Sequence, residues 1–112
     1  MVETQKDLAD ILEKNQIVTM TLKACPNCVK VLEFIEKKGY APKNIDAATS
    51  DGAALKKTAA EILKAEGVPL VFIKGRFVGG CDKTTSEGVF DTYMSKAPST
   101  REEIERLLKI RK

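Results

Sequence analysis

The stretch that decides the fold is Ile17-Val18-Thr19-Met20-Thr21-Leu22-Lys23-Ala24-Cys25-Pro26-Asn27-Cys28-Val29-Lys30-Val31-Leu32-Glu33-Phe34-Ile35. Its first six residues are rich in β-branched types and read as a buried strand. After Pro26 the apolar period changes to that of a helix, with Cys28, Val31, Leu32 and Ile35 on one stripe. Proline is favoured at the first helical position, where its missing N–H has no partner to lose. With Pro26 there, Cys25 becomes the N-cap and Cys28 the third helical residue. The Cys25 sulfur then lies beside the free N–H groups of the first turn and the positive end of the helix, which favour thiolate over thiol. Lys23 adds a nearby cation. Thiols so placed have pKa values of roughly 3.5–7.5 rather than about 8.5. Cys28 starts the buried stripe and is expected to be less ionised. Cys25 is thus the candidate nucleophile and Cys28 the candidate resolving thiol, within bonding reach across one turn.

Outward from this stretch, Thr4 to Asn15 is an amphipathic helix carrying Leu8, Ile11 and Leu12, and Pro26 to Lys38 is a helix terminated by Gly39. A short strand follows around Pro42 to Asp46. Leu55, Ala59, Ile62 and Leu63 mark a helix ending near Glu66-Gly67. Pro69 to Ile73 is a continuous apolar run suited to a central strand, and Lys74-Gly75-Arg76 turns it into Phe77-Val78. Thr84 with Glu87 fits a capping box opening a helix to about Ser95; Ser99 with Glu102 repeats it before a helix from Thr100 to about Ile110. The strand–helix–strand start implies a parallel crossover, and the late hairpin adds antiparallel neighbours. The expected fold is α/β and thioredoxin-like: a four-stranded mixed sheet flanked by helices on both faces. No repeat or linker divides residues 1–112, so one domain is expected.

Composition narrows the chemistry. The 112 residues contain no histidine, which removes Cys–His and Ser–His nucleophiles and histidine metal ligands. Net charge is +3 without a clustered basic stripe, so no nucleic-acid surface is expected. No apolar run approaches membrane-spanning length, and the N-terminus shows no secretory pattern; the expected location is the cytoplasm. Three cysteines suit redox chemistry better than a disulfide framework there. A closed zinc site at the two cysteines would need Cys81 and a carboxylate, and no metal is expected. Inert core packing is an alternative for Cys28 alone.

Three motifs in order, Cys25-Pro26-Asn27-Cys28, Gly67-Val68-Pro69 and Gly79-Gly80-Cys81-Asp82, make the chain resemble the dithiol glutaredoxins over nearly its whole length. The resemblance implies a glutathione-dependent thiol–disulfide oxidoreductase acting on glutathione–protein mixed disulfides and on low-molecular-weight or protein disulfides. It implies a cis Val68–Pro69 peptide whose Val68 backbone holds the cysteine part of glutathione. It implies a turn at Gly80, Cys81 and Asp82 that receives the γ-glutamyl carboxylate, although two adjacent glycines also suit a plain turn. Lys23 and Lys56 are its candidates for the glycine carboxylate, or else solvated charges. Glutathione is the implied co-substrate, glutathionylated or disulfide-containing proteins are the partners, and the chain is expected to be a monomer. Three departures stand out: Asn27 replaces an aromatic, Glu66 stands where a basic residue is common, and Lys83 stands where a second acid is frequent. Two rival readings are a glutathione-ligated [2Fe–2S] carrier, which Pro26 disfavours by stiffening the loop, and a thioredoxin-like general disulfide reductase. Cys81 reads either as a small residue beside the ligand or as an oxidation-sensitive thiol.

Overall fold

The computed structural model describes residues 4–65 and 67–110. Its elements, in chain order, are α1 (Thr4–Lys14), β1 (Ile17–Thr21), α2 (Pro26–Lys37), β2 (Lys43–Asp46), α3 (Ser50–Leu63), β3 (Leu70–Ile73), β4 (Arg76–Gly79), α4 (Cys81–Thr85), α5 (Val89–Met94) and α6 (Arg101–Leu107). The strands form one sheet in the order β2-β1-β3-β4. β1 and β2 are parallel, joined through α2, whereas β3 runs antiparallel to both β1 and β4. This is the four-stranded, mixed, thioredoxin-like arrangement expected from the sequence.

Alternation along the strands sends side chains to two separate cores. Val18 and Met20 of β1, with Leu70 and Phe72 of β3, meet Leu8 and Leu12 of α1, Leu55 and Ala59 of α3, and Ile104 and Leu108 around α6. Their neighbours Ile17, Val71 and Ile73 face the other way, onto Val31 and Ile35 of α2 and Phe90 of α5. Thr19 and Thr21 share that second face. Both hydroxyls donate to Asn44 Oδ1, at 2.9 and 2.7 Å, so these buried polar groups of the parallel pair are satisfied.

The β3–β4 turn is a two-residue loop with Lys74 at φ 53° and Gly75 at φ 82°, the doubly left-handed form that matches strand twist. Two local expectations require correction. Thr84 caps no helix: α4 starts earlier, with Gly80 as its N-cap, and Thr84 lies inside it with its N–H bonded to the Gly80 carbonyl at 3.0 Å. The expected helix to Ser95 is broken in two, because Gly88 at φ 79° starts α5 afresh. The last capping box is displaced by one residue. Thr100 accepts from the Glu103 N–H at 3.2 Å, and Glu103 Oε1 accepts from the Thr100 N–H at 2.9 Å. Ser99 is instead tied to the hairpin, its N–H donating to the Lys74 carbonyl at 2.9 Å.

Candidate functional site

β1 ends at Thr21, and a short turn delivers Cys25 to the head of α2. Cys25 is extended at φ −95° and ψ 112°, the usual geometry of an N-cap, with Pro26 opening the helix. Its sulfur accepts the Cys28 N–H at 3.2 Å. A thiol is an unusual cap; here the residue that would ordinarily be serine or aspartate carries a nucleophile. Cys25 Sγ also lies 3.9 Å from the Val68 carbonyl oxygen, on the segment leading into β3. The Val68–Pro69 peptide is cis.

The two sulfurs are treated unequally. The Cys25 thiol is held below its ordinary range, chiefly by a hydrogen bond from the Cys28 thiol; burial opposes this, and the N–H groups of Cys28 and Asn27 add to it. Cys28 is 1% exposed. Its thiol is pushed up to about 11, first by burial, then by its bond to Cys25 and by the nearby sulfurs of Cys25 and Cys81. The sequence expectation assigned part of the Cys25 effect to Lys23. Lys23 is exposed and is not among the groups acting on that sulfur, so the second cysteine takes the part given to the cation. None of the three cysteines is joined in a disulfide.

Beside the cysteines lies an open cleft of about 330 Å³. Val68 and Pro69 line one part of it; Gly80, Cys81 and Asp82, at the β4–α4 junction, line another. Five of the residues singled out in the sequence therefore converge on one cleft. Lys23 and Lys56 do not line it: Lys56 is half-buried on α3. Asn27 and Lys83 do line it. Both stood out in the sequence only as departures from a family pattern, without a place in the expected site. Cys81 is half-buried and packs against the core between the sheet and α2 and α5. Its sulfur bears on Cys28, as noted above.

Among the described residues no group of three or more cysteine, histidine or acidic side chains could hold a metal, and no helix is long and apolar enough to cross a membrane. A second hollow, of about 250 Å³, lies at the opposite end of β1 between α1, the Lys74 turn and Pro98; no cysteine lines it.

Comparison with known proteins places this architecture. The model of the Glutaredoxin family matches residues 17–78, from β1 into β4. A glutaredoxin of Vernicia fordii is 36% identical over 68% of this chain and 74% of its own length. The crystal structure of wheat glutaredoxin superposes with a TM-score of 0.74 at 28% identity, covering 86% of this chain and 96% of that one. The solution structure of a dithiolic glutaredoxin from Trypanosoma brucei brucei gives 0.69 at 27% identity, covering 79% and 95%. The match runs through the strand–turn–helix that carries Cys25 and Cys28 and through the Val68–Pro69 segment beside it, and on that basis the chain belongs to the glutaredoxin family, whose members are in general thiol–disulfide oxidoreductases.

Proposed function

We propose that the protein uses glutathione to reduce glutathione–protein mixed disulfides, and low-molecular-weight or protein disulfides, through Cys25. The observation that carries this reading is the split between the two thiols: Cys25 lowered at the head of α2, Cys28 raised to about 11 behind it. A nucleophile must be ionised at working pH, and a thiol kept in reserve must not compete with it.

In the first step the Cys25 thiolate attacks the glutathione sulfur of a mixed disulfide. A new S–S bond forms, the old one breaks, and the protein leaves as a thiolate that takes a proton from water. A second glutathione thiolate then attacks the glutathione sulfur held on Cys25. Glutathione disulfide departs and Cys25 is again a thiolate. Alternatively Cys28, losing its proton, attacks Cys25 Sγ; glutathione is released and an intramolecular disulfide remains for two further glutathiones to reduce.

While Cys25 is a free thiolate, Cys28 keeps its proton. A thiol titrating at about 11 is ionised in only about one molecule in ten thousand at neutral pH. That restraint relaxes when it is needed. Once Cys25 is bonded to glutathione it carries no charge, so the repulsion and the hydrogen bond from Cys25 that hold the proton on Cys28 both weaken, leaving burial as the largest remaining cause.

Family membership supports glutathione as co-substrate, as does the cleft. The backbone of Val68 faces Cys25 and is suited to the cysteine part of the ligand. Gly80, Cys81 and Asp82 suit its γ-glutamyl end, with Pro69 forming the wall between. Lys23 and Lys56, outside the cleft, are the candidates for the glycine carboxylate.

Turnover of a glutathionylated peptide by Cys25→Ser and Cys28→Ser proteins tests the assignment. Cys25→Ser is expected to be inactive and Cys28→Ser to retain the glutathione route. Substantial turnover by Cys25→Ser rejects it.

A further inference from the structure

We propose that Lys83 is a specificity-determining residue of the cleft: it reads the α-carboxylate of a zwitterionic amino-acid head on the incoming thiol, while Asp82 takes the ammonium of that head. This rests on the glutathione reading above and deepens it.

Among the described residues lining the cleft, one is acidic and one basic, Asp82 and Lys83, and no other is charged. Both are exposed, and neither forms an ion pair with another described residue. They do not neutralise each other either, because adjacent helical residues point about 100° apart. The cleft therefore offers two separate, unsatisfied charges of opposite sign. A ligand bearing only an amine or only a carboxylate satisfies one; a ligand bearing both on one carbon satisfies the pair.

The placement of Lys83 is specified by the backbone beneath it. Gly79 lies four residues earlier, at φ +133°, a conformation that residues with side chains rarely adopt. A Cβ there would lie 3.0 Å from both Cβ and Cγ of Lys83 and 3.6 Å from its Cδ. The aliphatic stem of Lys83 thus lies over bare backbone, and the residue lines the cleft with no ion pair to another described residue.

The discriminating experiment uses one peptide in two mixed disulfides. The first carries glutathione; the second carries γ-aminobutyryl-cysteinylglycine, which keeps the ammonium and lacks the α-carboxylate. Lys83→Ala is expected to raise KM for the first by about three- to fivefold with little change in kcat, the effect of losing one solvent-exposed charge contact. KM for the second should not move, which also shows that the variant is folded. Lys83→Arg should behave as wild type. An unchanged KM for the glutathione substrate, or an equal rise for both substrates, overturns the proposal. If the wild-type protein turns over neither substrate, the oxidoreductase reading has failed first, and this inference with it.

Discussion

Replacing Cys28 by alanine removes the S–H that is the largest single influence lowering the Cys25 thiol, yet keeps the Cys28 N–H, 3.2 Å from the same sulfur. The expected outcome is partial loss of activation. A hydrogen bond to a charged acceptor contributes roughly 1.5–3 kcal/mol, and a thiol is a weak donor, so the low end applies. That corresponds to about a tenfold fall in the thiolate population at a pH below the titration midpoint. The remaining thiolate is more basic and intrinsically more nucleophilic, by about threefold for a Brønsted slope near 0.4–0.5. The net alkylation rate of Cys25 should thus fall only about threefold, while its titration midpoint moves visibly upward. Cys28→Ser, which restores a donor at the same place, should keep the wild-type midpoint. The assay is alkylation of the reduced protein as a function of pH, with mass spectrometry assigning the adduct, alongside the ultraviolet titration of the thiolate. A Cys25 midpoint that is the same in wild type, Cys28→Ala and Cys28→Ser would refute the reasoning, leaving the helix amides as sole cause.

Thr84 is fully buried and its Oγ1 has no hydrogen-bond partner, so Thr84→Val, nearly the same shape without the hydroxyl, should stabilise the fold by about 1 kcal/mol in urea denaturation; destabilisation would mean that the hydroxyl is satisfied. Gly52, in the first turn of α3, has no room for a methyl group: a Cβ would overlap the Asp46 carbonyl oxygen and lie 2.7 Å from Thr49 Oγ1. Gly52→Ala should therefore cost about 2 kcal/mol or more, measured the same way, and a neutral result would show that the β2–α3 connection yields easily. Alkaline pH should weaken the native state through Cys28. Its folded pKa of about 11 exceeds the reference 9.0, so the folded protein holds this proton more tightly than the unfolded chain. The contribution is complete below about pH 9 and is lost as pH rises toward 11, and Cys28→Ala should lack that part of the alkaline decline.

Much of the architecture was legible because local signals agreed with the fold. The change of period at Pro26, the apolar run into β3 and the Lys74-Gly75 turn each have one good structural solution. Thr84 misled because a capping box is a pattern of two residues, and it is void when an earlier residue has already started the helix; Gly79-Gly80 was the better signal of that start. Ser99 misled in the same way, since a contact with the distant hairpin turn decided which of two adjacent hydroxyl residues became the cap. At the site, the sequence placed Cys25 correctly at the helix head. It could not reveal that the Cys28 thiol outweighs Lys23, because this depends on which way two short side chains turn. Asn27 and Lys83 were visible as substitutions, but only the folded chain brings them to the same cleft as Pro69 and Asp82. For Lys83 a usable clue existed: a glycine four residues before a long side chain, at a strand-to-helix junction.

The alternation of β1 and β3 side chains onto two unconnected cores has a practical consequence. Every cysteine lies on one side of that divide, with α2, α4 and α5, whereas α1, α3 and α6 serve the other. The sheet acts as a partition wall between a workshop and its foundations. Tags, fluorophores or repacked apolar residues installed on α1 or α6 can alter how firmly the molecule holds together without entering the room where sulfur is exchanged.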